Sequence, residues 1–158
     1  MNHSSHAGNS KIIPVSRLLL MAALHFGAMY LLMYAMVDRS DNIYPNLNQA
    51  YMAAIMSMPM LAIEVALMGS MYGTRRTLAA ILAGSALVFA AAFIALRQQA
   101  AIGDREFLRS MIPHHGAAIL MCEQAPIEDP EILALCDQII SGQQAEIDLM
   151  KQLLQESN

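Results

Sequence analysis

An all-α fold is what this sequence predicts: a bundle of three membrane-spanning helices followed by a helical hairpin. Three observations carry that reading. Of 158 residues, 56% are hydrophobic and only 14% charged, and the mean hydropathy of +0.41 is far from that of an ordinary soluble domain. The apolar residues gather in three runs of about twenty, each long enough to cross a hydrocarbon core. Beyond the third run, apolar residues recur at alternating three and four spacing, the pattern of helices with one buried face.

Residues 1–17 form a polar tail rich in Ser, Asn and His, with Lys11 and Arg17 just before the first apolar run. The first span covers about residues 18–37, and no small-residue cleavage site follows promptly, so it reads as an uncleaved anchor. A polar loop holding Pro45 leads to the second span, about residues 50–72, where Pro59 predicts a kink. Gly73-Thr-Arg-Arg-Thr77 is a tight basic turn, and the third span covers about residues 78–96. Its Ala79/Ala83 and Ala80/Gly84 pairs allow close approach of helix backbones in lipid. Lys11, Arg17, Arg75 and Arg76 lie on one side. The positive-inside rule then expects a cytoplasmic N-terminus in a bacterial inner membrane, with everything after Arg97 outside, in the periplasm.

Residues 104–156 read as the hairpin. Asp104 is expected to cap a helix running to about Gln124, bent or restarted at Pro113. Asp129-Pro130-Glu131 is a strong start for the second helix: a capping Asp, Pro in the first turn, and an acid near the positive end of the dipole. Ile132, Cys136, Ile139, Ile147, Met150 and Leu154 mark its buried seam, with Gln143 in the same seam. Two helices bury too little to stand alone, so the hairpin should dock on the spans or pair with a second copy into a four-helix bundle. A homo-oligomer is therefore expected.

The chemistry-bearing residues concentrate in this hairpin. Met supplies 14 of 158 residues. One Met alone is as readily core filling as anything else. An antiparallel hairpin centred on Asp129 sets Cys122 opposite Cys136, His115 opposite Gln143 and Met111 opposite Ile147. A shift of one turn brings His114, Glu146 and Met150 within reach, with Met121 nearby. Thioether and imidazole donors in one band are the chemistry of a Cu(I) site, so a copper ion is the expected ligand. His114 and His115, being adjacent, point to different faces of their helix. Gln143 could instead fix one imidazole tautomer. Cys122 and Cys136 leave three readings open: a disulfide, two buried thiols, or extra ligands.

A second candidate set lies in the spans. Met52, Met56, Met60, Met68 and Met71 fall four, four, eight and three residues apart, on one face of the second span. Glu64 interrupts them, and an ionised acid near mid-membrane costs about 2.5–3.5 kcal/mol. His25 lies at the same depth on the first span and is the expected partner, sharing a face with Met29, Met33 and Met36. His25, Met29, Met33, Met56, Met60, Glu64 and Met68 thus form a possible intramembrane metal or proton site, or a buried pair that fixes packing. Met1, His3 and His6 are a weaker candidate for Cu(II).

Net charge of -4 excludes a basic nucleic-acid footprint. There is no Glu-x-x-His pair for a di-iron centre, no phosphate loop and no plausible Ser-His-Asp set, so no enzyme is expected. Three functions remain: a membrane-anchored copper binder exchanging the ion with a donor or acceptor protein, an oligomeric Met-lined transporter, or an interaction module without metal.

Met111-Ile-Pro-His114-His115, Ala118, Met121, the Asp-Pro helix start and Gln143-x-x-Glu146-Ile147-x-x-Met150 together resemble the bacterial domain of unknown function 305 family. The likeness covers about Asp104 to Leu154. The region from His25 to Gln99 is similar to the subset of that family with three transmembrane helices. The resemblance implies a ferritin-like helical fold and copper handling or resistance at the outer face of the membrane. By position it makes Met111, His114, His115, Met121, Gln143, Glu146 and Met150 the metal site. Cys122 and Cys136 depart from the small or hydroxyl residues expected in relatives, and Glu64 from Met.

Overall fold

In the computed structural model, which describes residues 15–156, five α-helices follow one another and no strand occurs among the described residues. They are α1 (Val15–Leu32), α2 (Leu47–Leu67), α3 (Arg75–Arg97), α4 (Asp104–Gln124) and α5 (Pro130–Glu156). Short 3-10 turns at Met33–Met36, Ser40–Asn42 and Gly69–Met71 join the first three. The tail holding Met1, His3 and His6 lies outside the described residues.

Three helical stretches are long and apolar enough to cross a membrane: Ser16–Met36, Leu47–Leu67 and Arg75–Arg97. Their outward faces carry Leu31, Leu67 and Leu87, each more than two-thirds exposed, an apolar surface that water would not tolerate over this area. The second span begins and ends earlier than its apolar run suggests. Asn46 starts α2 by accepting the Gln49 N–H at 2.9 Å, and the helix stops at Leu67 ahead of a 3-10 turn. Pro59 sits inside α2 and removes one ladder bond without ending the helix. Thr74 caps α3 in the same way as Asn46 caps α2.

Within the bundle, α2 packs on α1 and α3 through Ala53, Ser57, Leu61 and Val65, a strict four-residue stripe. Leu18, Leu61, Val65 and Tyr72 close the core at the end beside the basic turn. The small pairs Ala79/Ala83 and Ala80/Gly84 lie on an exposed face of α3, so they do not form this contact. Instead Ser85 and Ala92 are the buried positions of α3.

The hairpin docks on the opposite end, over the loop between α1 and α2. Its core is Ile112, Ile119, Ile147, Met150 and Leu154, and Tyr44 of that loop packs against it. Gly103 precedes α4 in the capping position, so Asp104 is the first helical residue rather than the cap. Pro113 interrupts nothing: α4 runs unbroken through it. Asp129 does cap α5, accepting from the N–H groups of Glu131 at 2.8 Å and Ile132 at 3.2 Å. Cys122 and Cys136 are joined in a disulfide between α4 and α5, with Cα atoms 5.3 Å apart. Of the three readings open for this pair, the bridge is the one realised, and neither sulfur remains as a thiolate ligand.

Candidate metal centre

The candidate site grows from two faces of α4. Consecutive helical residues are about 100° apart, so His114 and His115 leave the helix in different directions. Their rings stand 6.3 Å apart at 62°.

His115 turns into the hairpin and is buried. Its Nδ1 lies 2.9 Å from the Met111 carbonyl oxygen, which can only accept, so Nδ1 carries the proton. Its Nε2 lies 2.6 Å from Glu146 Oε2 on α5. Both ring nitrogens are thereby engaged, and the imidazole ties α4 to α5. Met150 is consumed by the hairpin core. Met121 is 54% exposed on the outer surface, and Gln143 is half-buried in α5 without a bond to His115. The single band of hairpin donors is therefore divided by the structure.

His114 turns the other way, toward the spans. It lines a cavity of about 350 Å³ at the seam between hairpin and bundle, together with Met33, Met36, Met52, Met111 and Gln49. Met33 and Met36 lie at the C-terminal end of the first span, Met52 lies in the second turn of α2, and Met111 and His114 share one face of α4. Four thioethers and one imidazole thus meet in one place. Met33, Met111 and His114 belong to the sets singled out from sequence. Met36 and Met52, which stand on the sulfur-lined faces read for the first and second spans, complete the group, and both lie at the loop end of their spans, on the hairpin's side.

Elements that depend on the local turn chemistry position this seam. Tyr34 donates to the Tyr44 carbonyl at 3.0 Å, and the Asn46 N–H donates to the Tyr30 hydroxyl at 3.2 Å, folding the loop back over α1. The Leu47 N–H, at the exposed start of α2, donates to Glu106 of α4 at 3.1 Å. Asn48 reaches Ser110 of α4 at 3.2 Å. Asp38 follows the cavity-lining Val37, its side chain 3% exposed and held by the Asn42 amide at 2.7 Å. Asp38 presses against Gly116 of α4, where a Cβ would collide with its carboxylate.

The intramembrane set is rearranged. Glu64 is bonded not by His25 but by Tyr72, whose hydroxyl donates to it at 2.7 Å. The pairing depth argument fails because the chain turns sharply after α2 and swings Tyr72 back over the last turn of that helix. His25 keeps a buried Nδ1 without a hydrogen bond. Met56, Met60 and Met68 are 46%, 49% and 38% exposed, facing away from the core, while Met29 is half-buried on α1. Among the described residues no three His, Cys, Asp or Glu side chains are grouped so as to hold a metal ion. Besides the amide and hydroxyl groups of Asn46, Asn48, Gln49 and Ser110, the seam offers four thioethers and one imidazole and no carboxylate, a donor set suited to a soft ion.

Comparison with known proteins follows the same division of the chain. The family described as Domain of unknown function (DUF305) matches residues 89–154, the end of α3 together with the hairpin. The uncharacterized protein L153 of Acanthamoeba polyphaga mimivirus is 35% identical over 144 residues, covering 89% of this chain and 93% of the viral one. The likeness therefore includes the spans as well as the hairpin. No solved structure matches.

Proposed function

The chain belongs to the family it shares with that viral protein and carries a DUF305 domain, and from that premise we propose that it is a membrane-anchored binder of soft metal, with Cu(I) as its cargo. The observation that carries this reading is the convergence of Met33, Met36, Met52, Met111 and His114 on one cavity. Neutral sulfur donors and one imidazole favour Cu(I) over Mg, Ca or Zn. His114 is exposed, which leaves one donor facing the aqueous side, where an ion would arrive.

The cavity lies at the end of the bundle away from the basic turn Gly73–Thr77, so the positive-inside rule supports an outer-facing site. The Cys122–Cys136 bridge supports the same placement, because disulfides persist in oxidising compartments. In a bacterial cell that would be the periplasmic face of the inner membrane. We place the protein in copper capture, resistance or delivery, passing the ion to or from a partner protein. The exposed Ile132, Leu135, Leu149 and Leu153 of α5 support pairing of hairpins between copies.

The test is a competition titration of Cu(I) against the full chain in detergent. Met33→Leu/Met52→Leu and His114→Ala should each weaken binding by about tenfold or more. Met121→Leu should leave it unchanged. Binding that survives the first two changes would remove the seam as the site.

A further inference from the structure

Resting on that reading, we infer that the metal ion acts as a clamp: it locks the hairpin onto the membrane bundle, and docking and metal affinity are two faces of one equilibrium. The donors come from separate bodies. Met33, Met36 and Met52 belong to the bundle, Met111 and His114 to the hairpin. A volume of about 350 Å³ is in the range of small organic ligand pockets, far larger than a bare ion needs. Bonds from a metal ion to sulfur are short, about 2.3 Å for zinc thiolates, so donors from the two bodies must draw together to share one ion. An ion bound there pulls the hairpin toward the spans.

The connection between the two bodies is built to move. Beyond the disulfide-closed hairpin itself, the chain crosses from bundle to hairpin through residues 98–103 only. Within them Gln99 has φ 51° and Ala101 has φ 57°, both left-handed and neither glycine. Such residues are held there only when their surroundings insist, at about 1–2 kcal/mol each. Gln99 is held locally, by its own N–H on the Leu96 carbonyl at 3.2 Å and the Ala100 N–H on the Ala95 carbonyl at 2.8 Å. The ties from the connector to α2, in contrast, are exposed: Tyr51 donates to the Ala100 carbonyl at 2.8 Å, and Gln99 exchanges amide bonds with Asn48 at 3.0 and 3.1 Å. The remaining polar ties, from Leu47 to Glu106 and from Asn48 to Ser110, are also at or near the surface. Undocking frees Ala101 to leave the left-handed region, breaks these solvent-accessible bonds, and parts Tyr44 from the hairpin core and Asp38 from Gly116. A ligand that binds only the docked arrangement shifts that balance in proportion to its differential affinity.

Linkage then makes a demand that ordinary metal binding does not. A change in the connector, remote from every donor, must alter metal affinity by the same factor by which it alters docking. Ala101 is exposed, so a larger side chain there meets no packing and acts through its backbone preference. Valine resists the left-handed conformation more than alanine does.

The experiment uses the full chain in detergent with Ag(I) as a redox-inert soft probe. Amide exchange is followed by mass spectrometry with and without the ion, and affinity is measured for the parent and for Ala101→Val. Saturating Ag(I) should slow exchange across residues 98–110 by about tenfold, and Ala101→Val should weaken Ag(I) binding by about fivefold. In Met33→Leu/Met52→Leu the slowing should vanish although the hairpin donors are intact. Ag(I) binding with unchanged exchange and an unaltered affinity in Ala101→Val would overturn the clamp and leave the soft-metal reading standing. Failure of the parent chain to bind Ag(I) would overturn both.

Discussion

Replacing Gly116 by alanine and replacing Gly142 by alanine are the same chemical change in two helix interiors, and their effects should have opposite signs. Each gains about 1 kcal/mol of helix propensity. At Gly142 an added Cβ meets nothing within 4 Å, so that gain is kept. At Gly116 the Cβ runs into the Asp38 carboxylate, with Asp38 Cγ and Val37 Cγ1 both at 3.4 Å. Asp38 cannot swing aside freely, because its side chain is 3% exposed and takes the Asn42 amide at 2.7 Å. Losing a hydrogen bond to a charged group costs about 1.5–3 kcal/mol, and crowding a packed contact about 1–3 kcal/mol. Set against the propensity gain, Gly116→Ala should destabilise the seam by about 2 kcal/mol, a factor of about thirty in the docked population. Amide exchange is the assay. Gly116→Ala should open residues 37–46 and the start of α4 while α5, held by the hairpin core and the disulfide, is spared. Exchange in Gly116→Ala no faster than in Gly142→Ala would refute the argument that the hairpin docks through this glycine.

Two further outcomes follow from the same structure. Cys122→Ser/Cys136→Ser removes a cross-link between residues 14 apart and should cost about 3 kcal/mol of hairpin stability, seen as a lower thermal midpoint that reductant no longer shifts; equal midpoints for parent and variant would sink this. Tyr72, outside the spans, has its phenol pushed from 10.0 up to about 12, first by the hydrogen bond to Glu64 and then by burial. The folded chain thus keeps a proton that the unfolded chain releases, so this contribution is whole below pH 10 and is lost as the pH climbs toward about 12. In Tyr72→Phe that alkaline decline should flatten, measured by unfolding at stepped pH; a decline unchanged in the variant would count against the Glu64 bond.

Much of the architecture was legible because it is local. A run of twenty apolar residues makes a helix long and apolar enough to cross a membrane whatever its neighbours do, and Asp129-Pro130-Glu131 starts a helix through bonds to its own next turn. Even the Cys122–Cys136 register follows from counting outward from that turn, since a short loop leaves an antiparallel pair little freedom. The cap at Gly103 instead of Asp104 is a one-residue change at an end that frays in any assignment.

What the sequence could not decide was rotation and docking. It placed His114 and His115 on different faces of α4 without saying which face meets α5 and which meets the spans. His115 went to Glu146 and His114 to the cavity because Ile112 and Ile119 fill the hairpin core, and that packing turns the helix. Likewise the pairing expected between His25 and Glu64 rested on counting along two helices, and no count could show that a 3-10 turn would fold Tyr72 back onto Glu64. The sequence by itself determined the three apolar helices, the hairpin and the register that sets Cys122 opposite Cys136, since each rests on contacts within a few turns, while the bridge itself was decided by the structure. Only the tertiary structure brought Met33, Met36 and Met52 to Met111 and His114, because that meeting depends on how two separately formed bodies settle against each other. Burial and shape select that arrangement across some sixty residues of chain, and no local preference encodes it.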